Sequence, residues 1–166
     1  MSNTTTATIQ IYVGTYGKYN NGSIKGEWVD LTEFNSHDEF LEHCATIHSD
    51  EVDPEFMFQD CEGIPSALYS ECSAKEVYEV ISYWNDNLEH FDLAVILEYV
   101  AQGNDIDNFE DSYIGEYSST RDFTDELADE MLHGVPSTVA NYFDYQSWHR
   151  DVMYDYYTID NHIFRA

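Results

Sequence analysis

Apolar and polar positions alternate along residues 8–14, TIQIYVG, and again along 23–31, SIKGEWVDL. That period of two predicts strands, and YNNG between them supplies the turn residues of a hairpin with a long loop. Ser36 and Glu39 stand at capping-box spacing, and Phe40, Leu41, Cys44 and Ile47 then recur at a helical period. EFMFQD, 55–60, predicts a third short strand, so residues 1–61 are expected to form a ββαβ-like N-terminal domain.

The pattern changes at CEGIPSALYSECSAKEV. Ser73 and Glu76 repeat the capping-box spacing, and Val77, Val80, Ile81, Trp84 and Leu88 mark an amphipathic helix. Asp92 then caps LAVILEYVAQ, which Gly103 terminates. Residues 62–103 are therefore expected to be a helical middle domain. After the polar break NDIDNFED, SYIGEYSS predicts a strand, Thr120 caps a helix ended by Gly134-Val135-Pro136, and 137–153 is helical with a kink near Asp144. YYTIDNHIF closes the chain as a hairpin turning at Asp160-Asn161. Residues 104–166 form the C-terminal α+β domain, and no sequence repeat relates the three.

The helix over 122–135, DFTDELADEMLHGV, has an apolar seam of Phe123, Leu127 and Met131. Asp122, Asp125, Glu126, Asp129 and Glu130 fall within an arc of about 140° on its other side. They form i,i+3 and i,i+4 like-charge pairs costing together roughly 1–2.5 kcal/mol in an isolated helix. A solvated face selected only for solubility gains by placing Lys after Glu, and this face does not.

The skew is global. There are 33 Asp plus Glu against 6 Lys plus Arg in 166 residues, a formal charge of -27. Such acidity usually accompanies disorder, but 43% of residues are hydrophobic and 16% aromatic, enough to bury a core. Self-repulsion among so many carboxylates favours an elongated molecule over a compact one. The expected fold class is α+β: elongated, with three small stacked domains.

Three cysteines, Cys44, Cys61 and Cys72, form no CxxC pair and read as reduced core residues in a cytoplasmic protein. The start MSNTTTATIQIYVG lacks a signal peptide's charged and apolar regions, and the charge argues against membrane and nucleic acid as ligands. DIDNFED fails the calcium-loop pattern, since Phe109 and Glu110 stand where an oxygen ligand and glycine are needed. His37, His43 and His48 lack zinc-ligand spacing around Cys44. We expect no catalytic residue, no cofactor and no metal; the natural partner is basic.

B-form DNA carries one charge per about 1.7 Å of axis, so the net charge of this chain equals that of about 46 Å of duplex. Its carboxylates stay ionised at neutral pH as phosphates do. A basic DNA channel can bind such a surface without reading a base.

KYNNGSIKGEWVDL, FMFQDCEGIP and VPSTVANYFDYQSWHRDVMYDYYTIDNHIF resemble the ArdA antirestriction family, from about residue 11 to the C-terminus. The resemblance implies an acidic B-DNA mimic, encoded on conjugative plasmids and transposons, that occupies the DNA-binding groove of type I restriction-modification enzymes. It also implies a homodimer formed through the third domain. The motif naming the family falls at 126–146. Relatives often carry acids where this chain has Gly134, Ser137 and Gln146, which weakens the idea that the motif acts by charge. Val135, Pro136, Val139, Tyr142, Phe143 and Tyr145 persist in type, which suits packing or the dimer contact.

Recognition is assigned to distributed carboxylates. They are Glu27, Asp30, Glu33, Asp38, Glu39 and Glu42 in the first domain, and Glu71, Glu76, Glu79, Asp86, Glu89 and Glu98 in the second. In the third they are Asp105, Asp107, Glu110, Asp111, Glu116 and the five of the 122–130 helix. Two other readings explain the charge: an acidic scaffold sequestering another basic DNA-binding protein or nuclease without duplex mimicry, and the acidity of a halophile. The last requires molar salt for folding. We expect near-UV circular dichroism to retain a native signal at ~0.1 M salt, where screening is modest; loss of that signal would favour the halophile reading.

Overall fold

A computed structural model describes residues 8–166. Residues 1–7, included in the expected first domain, lie outside the described residues. The chain divides into two compact units, with the boundary between Ile106 and Asp107.

In the first unit, β1 (Gln10–Thr15) is the central strand of an antiparallel sheet ordered β2-β1-β3, with β2 (Glu27–Asp30) and β3 (Phe56–Glu62) at its sides. Ile9, Ile11 and Val13 are each no more than 1% exposed, so alternate side chains enter the core as the sequence pattern requires. The β1–β2 connection holds one short helix, α1 (Tyr16–Asn20), before the expected turn. Gly26 then passes so close that a Cβ there would lie 2.2 Å from the Val13 carbonyl oxygen. α2 (His37–Ile47) starts at Ser36, whose Oγ accepts from Glu39 N at 3.2 Å. The reciprocal bond is displaced by one residue: Glu39 Oε2 accepts from Asn35 N, not Ser36 N.

Phe40, fully buried, joins α2 to β3 and to the next helix: its ring lies 5.7 Å from Phe58 and 5.4 Å from Tyr78. Tyr78 belongs to α3 (Lys75–Tyr83) and donates to the Leu31 carbonyl at 3.0 Å. The second capping box is not formed, because α3 enters through Ala74 and Ser73 Oγ accepts from Lys75 N instead. α3 continues into a π-helical turn, Trp84–Leu88, and α4 (Leu93–Ala101) follows. Asp92 caps α4 through Ala94 N at 2.9 Å, and Gly103, at φ 91°, closes it. Both ends agree with the sequence reading.

In the second unit the expected polar break is helical. A 3-10 turn, Ile106–Asn108, which straddles the boundary, leads into α5 (Phe109–Ser112). β4 (Tyr113–Glu116), β5 (Tyr156–Ile159) and β6 (His162–Arg165) form an antiparallel sheet ordered β4-β6-β5, with Asp160 at φ 51° in the hairpin turn. α6 (Thr120–Met131) is capped by Ser119, not Thr120; the Ser119 hydroxyl accepts from Asp122 N at 3.1 Å. Two adjacent hydroxyl residues made the choice ambiguous by one position.

The expected kink near Asp144 is a full break between α7 (Ser137–Ala140) and α8 (Tyr145–Val152). Asp144 accepts from Gln146 N and Ser147 N, each at 3.1 Å, and from the Ser147 hydroxyl at 2.6 Å. Those bonds hold its carboxyl below the usual carboxylate range. Asp144→Ala is therefore expected to lower the urea midpoint, whereas alanine at a helix-interior kink would raise it. The depressed pKa adds a sign: the cap's contribution is whole above the ordinary Asp value of ~4 and is lost as pH falls through the folded value. Urea titrations of both proteins should converge at low pH.

A candidate acidic recognition surface

α6 is acidic on one side because its other side fits a polar clasp as well as a core. Phe123, Thr124 and Ala128 are buried, Phe123 lying 5.2 Å from Tyr117 and 4.9 Å from Tyr156. Thr124 Oγ1 meets His149 Nδ1 at 2.8 Å, and Trp148 Nε1 donates to the Thr124 carbonyl at 2.7 Å, which ties α6 to α8. The predicted seam is corrected at one end. Met131 is 63% exposed, because it is the last residue of the helix, while Thr124 and Ala128 fill the face instead.

Asp122, Glu126, Asp129 and Glu130 are exposed and Asp125 is half-buried. With His133 they line an open concavity of about 680 Å³. None of the five has a cationic partner among the described residues. Asp129 accepts from the Tyr145 hydroxyl at 3.4 Å, and Asp125 Oδ1 is buried without a hydrogen-bond partner. The field of the wall reaches its neighbours. Burial, and then the charges of Glu126 and Glu130, push the Tyr117 phenol up; burial, then Asp129 and Asp125, do the same at Tyr145.

The other assigned acids are not gathered into one wall. They stand on outer positions of separate elements: Glu27 and the half-buried Asp30 on β2, Glu33 after it, Asp38, Glu39 and Glu42 on α2, and Glu76 and Glu79 on α3. Asp86, Glu89 and the half-buried Glu98 follow in the helical segment, with Asp105, Asp107, Glu110, Asp111 and Glu116 exposed beyond it. Glu71, also exposed, accepts from the Tyr16 hydroxyl at 2.9 Å. The latter part of the 126–146 motif divides. Phe143 packs 4.8 Å from Tyr145 and 5.7 Å from Trp148, while Pro136, Val139 and Tyr142 are exposed, Tyr142 at 89%. Val135 is half-buried. Of the cysteines only Cys44 is a core residue, its thiol pushed up to about 12 by burial; Cys61 is half-buried and Cys72 exposed.

One cluster was not legible in the sequence. His48, fully buried, meets the Val13 carbonyl at 3.0 Å through Nε2 and Lys18 Nζ at 2.7 Å through Nδ1. Lys18 also pairs with Asp50 at 2.7 Å and Glu51 at 3.5 Å. The space among His48, Asp50 and Glu51 thus holds the lysine ammonium. Lys18 and His48 are 30 residues apart, and no local spacing signals their meeting.

These features define an α+β polyanion whose charge is concentrated on exposed element faces. The chain belongs to the ArdA family: the family model described as antirestriction protein (ArdA) matches residues 11–164. It therefore has an antirestriction function and acts against restriction enzymes, in a family of inhibitors. No curated protein matches the chain. No helix among the described residues is long and apolar enough to cross a membrane.

The wall is held against its own repulsion, so relieving it should stabilise the unit. Glu130→Lys turns the i,i+4 repulsion with Glu126 into attraction and places a cation in the last helical turn. We expect a gain of about 0.5–1.5 kcal/mol in urea unfolding. A loss of stability would show that Glu130 makes a favourable contact.

Proposed function

We propose that this chain inhibits type I restriction-modification enzymes, both methyltransferase core and holoenzyme, by occupying their DNA-binding groove as a mimic of B-form DNA. The observation that carries the reading is the α6 wall, five acids in sequence register with no cationic partner among the described residues. Neighbours three or four apart on a helix stand ~5–6 Å apart at Cβ, which gives a stepped track of anions. Carboxylates along α2 and α3 extend the same chemistry. Binding such a track releases counterions from both surfaces, so affinity falls steeply with salt as it does for DNA.

The proposal includes a homodimer through the C-terminal residues. Exposed Val139 and Tyr142 support it, since apolar side chains this open gain by being covered. Two chains double the charge to that of about 92 Å of duplex. It also includes action in the bacterial cytoplasm, carriage on a mobile element and no catalysis by the inhibitor itself. Neither nucleic acid nor an anionic membrane is a ligand, because the net charge of -27 repels both.

The decisive measurement is competition between the purified protein and a duplex oligonucleotide for a type I methyltransferase at physiological salt. We expect mutual displacement. Binding of both at once would favour the acidic scaffold. Single Asp→Asn changes should alter inhibition by less than about fivefold, given ~0.2–1 kcal/mol for an exposed charge contact, while neutralising all five α6 acids should weaken it far more. One neutralisation that abolished inhibition would refute distributed recognition.

A further inference from the structure

The outer face of the N-terminal sheet carries an arrangement that the charge pattern alone does not require. Alternation along β1 turns Gln10 and Tyr12 away from the core while Ile11 and Val13 enter it. The register sets Trp28 of β2 and Asp60 of β3 on either side of Tyr12, and Asp30 and Glu62 on either side of Gln10. One row therefore reads tryptophan, tyrosine, carboxylate, and the next carboxylate, amide, carboxylate. Asp30 shares the strand of Trp28 and, with neighbouring strands ~4.8 Å apart, Asp60 stands beside Tyr12, while β3 is two strands, ~10 Å at the backbone, from Trp28.

The rings are fixed before any partner arrives. Tyr12 donates its hydroxyl to the Ile24 carbonyl at 2.8 Å and meets Trp28 edge-on, with centroids 5.5 Å apart and planes at 72°. Trp28 remains 42% exposed, whereas Trp84 and Trp148 donate their indole N–H groups to the Phe91 and Thr124 carbonyls. No cation pairs with Asp30, Asp60 or Glu62 among the described residues: Asp30 Oδ1 accepts from Thr32, Asp60 Oδ1 from Cys61 N and Glu62 Oε2 from Gln10 Nε2, each through one oxygen, and Lys25 is directed to Asp50 at 3.7 Å.

We propose that this face is a cradle for an arginine side chain of the basic partner, stacked on Trp28 and bonded through its guanidinium edge to the flanking carboxylates. Tryptophan is the strongest aromatic face for a cation, and arginine alone combines planar stacking with forked donation to a carboxylate. The acids exclude a nucleobase carrying phosphate. The inference rests on the reading of the chain as the ligand of a basic protein and adds a contact that duplex DNA does not offer. It supplies binding that persists when salt has screened the carboxylate track.

The test uses the full chain labelled with 15N, whose three tryptophan indole signals are assigned with Trp28→Phe. Octa-arginine and octa-lysine peptides serve as probes. We expect octa-arginine to shift the Trp28 indole signal at least twice as far as octa-lysine at equal saturation. Asp60→Asn with Glu62→Gln should at least halve that shift. Equal shifts from both peptides, or a Trp28 signal that stays still while α6 amides move, would overturn the proposal. With a type I methyltransferase at 0.3 M salt, Trp28→Ala should weaken binding by about 2- to 30-fold, and no change would likewise count against the cradle. Failure of the DNA competition would leave the peptide result intact, so the two readings fail separately.

Discussion

Like-charge repulsion is the constraint on which the rest of this structure depends. A chain with 33 acids and 6 basic side chains cannot neutralise its surface internally, so each element must be anchored by forces other than ion pairing. On α6 the anchor is mixed. Phe123 enters an aromatic cluster with Tyr117 and Tyr156, and Thr124 is clasped by His149 and Trp148. The penalty of roughly 1–2.5 kcal/mol for the acidic stripe is comparable with one or two such buried hydrogen bonds. Packing therefore holds in place a helix that its own charges oppose.

Some of the acids work for the fold. Asp30, Asp92 and Asp144 accept backbone N–H bonds at helix starts, where unpaired donors and the helix dipole favour an anion. Ser36 and Ser119 do the same without charge. Of the acids assigned to recognition, Asp30 is itself one of these caps and Asp38, Glu39, Glu76 and Asp122 lie in first helical turns, whereas Asp125, Glu126, Asp129 and Glu130 stand further along an outer face. The same residue types thus serve two purposes that overlap at the helix starts: there an acid stabilises the helix, while further along the outer face it repels its neighbours and waits for a cation.

How far the sequence reveals this follows from the length of each signal. Long periods were readable: the strand alternation of Ile9, Ile11 and Val13, the α2 seam around Phe40 and Cys44, and the acidic stripe of α6 all recur in the structure. One-turn elements were not, since the four or five residues of α1 and α5 are too few to establish a period. Caps were legible to within one position, and failed where neighbouring hydroxyls competed, as at Ser119 and Thr120, or where Ala74 stands at the helix entry after Ser73. Met131 failed because a helical wheel gives direction but not depth. The Lys18–His48 contact, spanning 30 residues, has no local trace at all.

Three of the six basic side chains are held in ion pairs. Lys18 is drawn among His48, Asp50 and Glu51 with its side chain only 13% exposed, Lys25 is turned to Asp50, and Arg150 is paired with its neighbour Asp151. Lys75 of α3 and Arg121 of α6 do lie on the acidic helices, but neither forms an ion pair among the described residues, so a partner has no such contact to displace there. Lys18, Lys25 and Arg150 strengthen the fold at a few points, and none of them is paired with an acid of the α6 wall. A mobile counterion is released at little enthalpic cost, whereas a hydrogen-bonded lysine is not. The scarcity and the sequestration of basic side chains therefore act in one direction: they keep the anionic surface available to cations the chain itself does not supply.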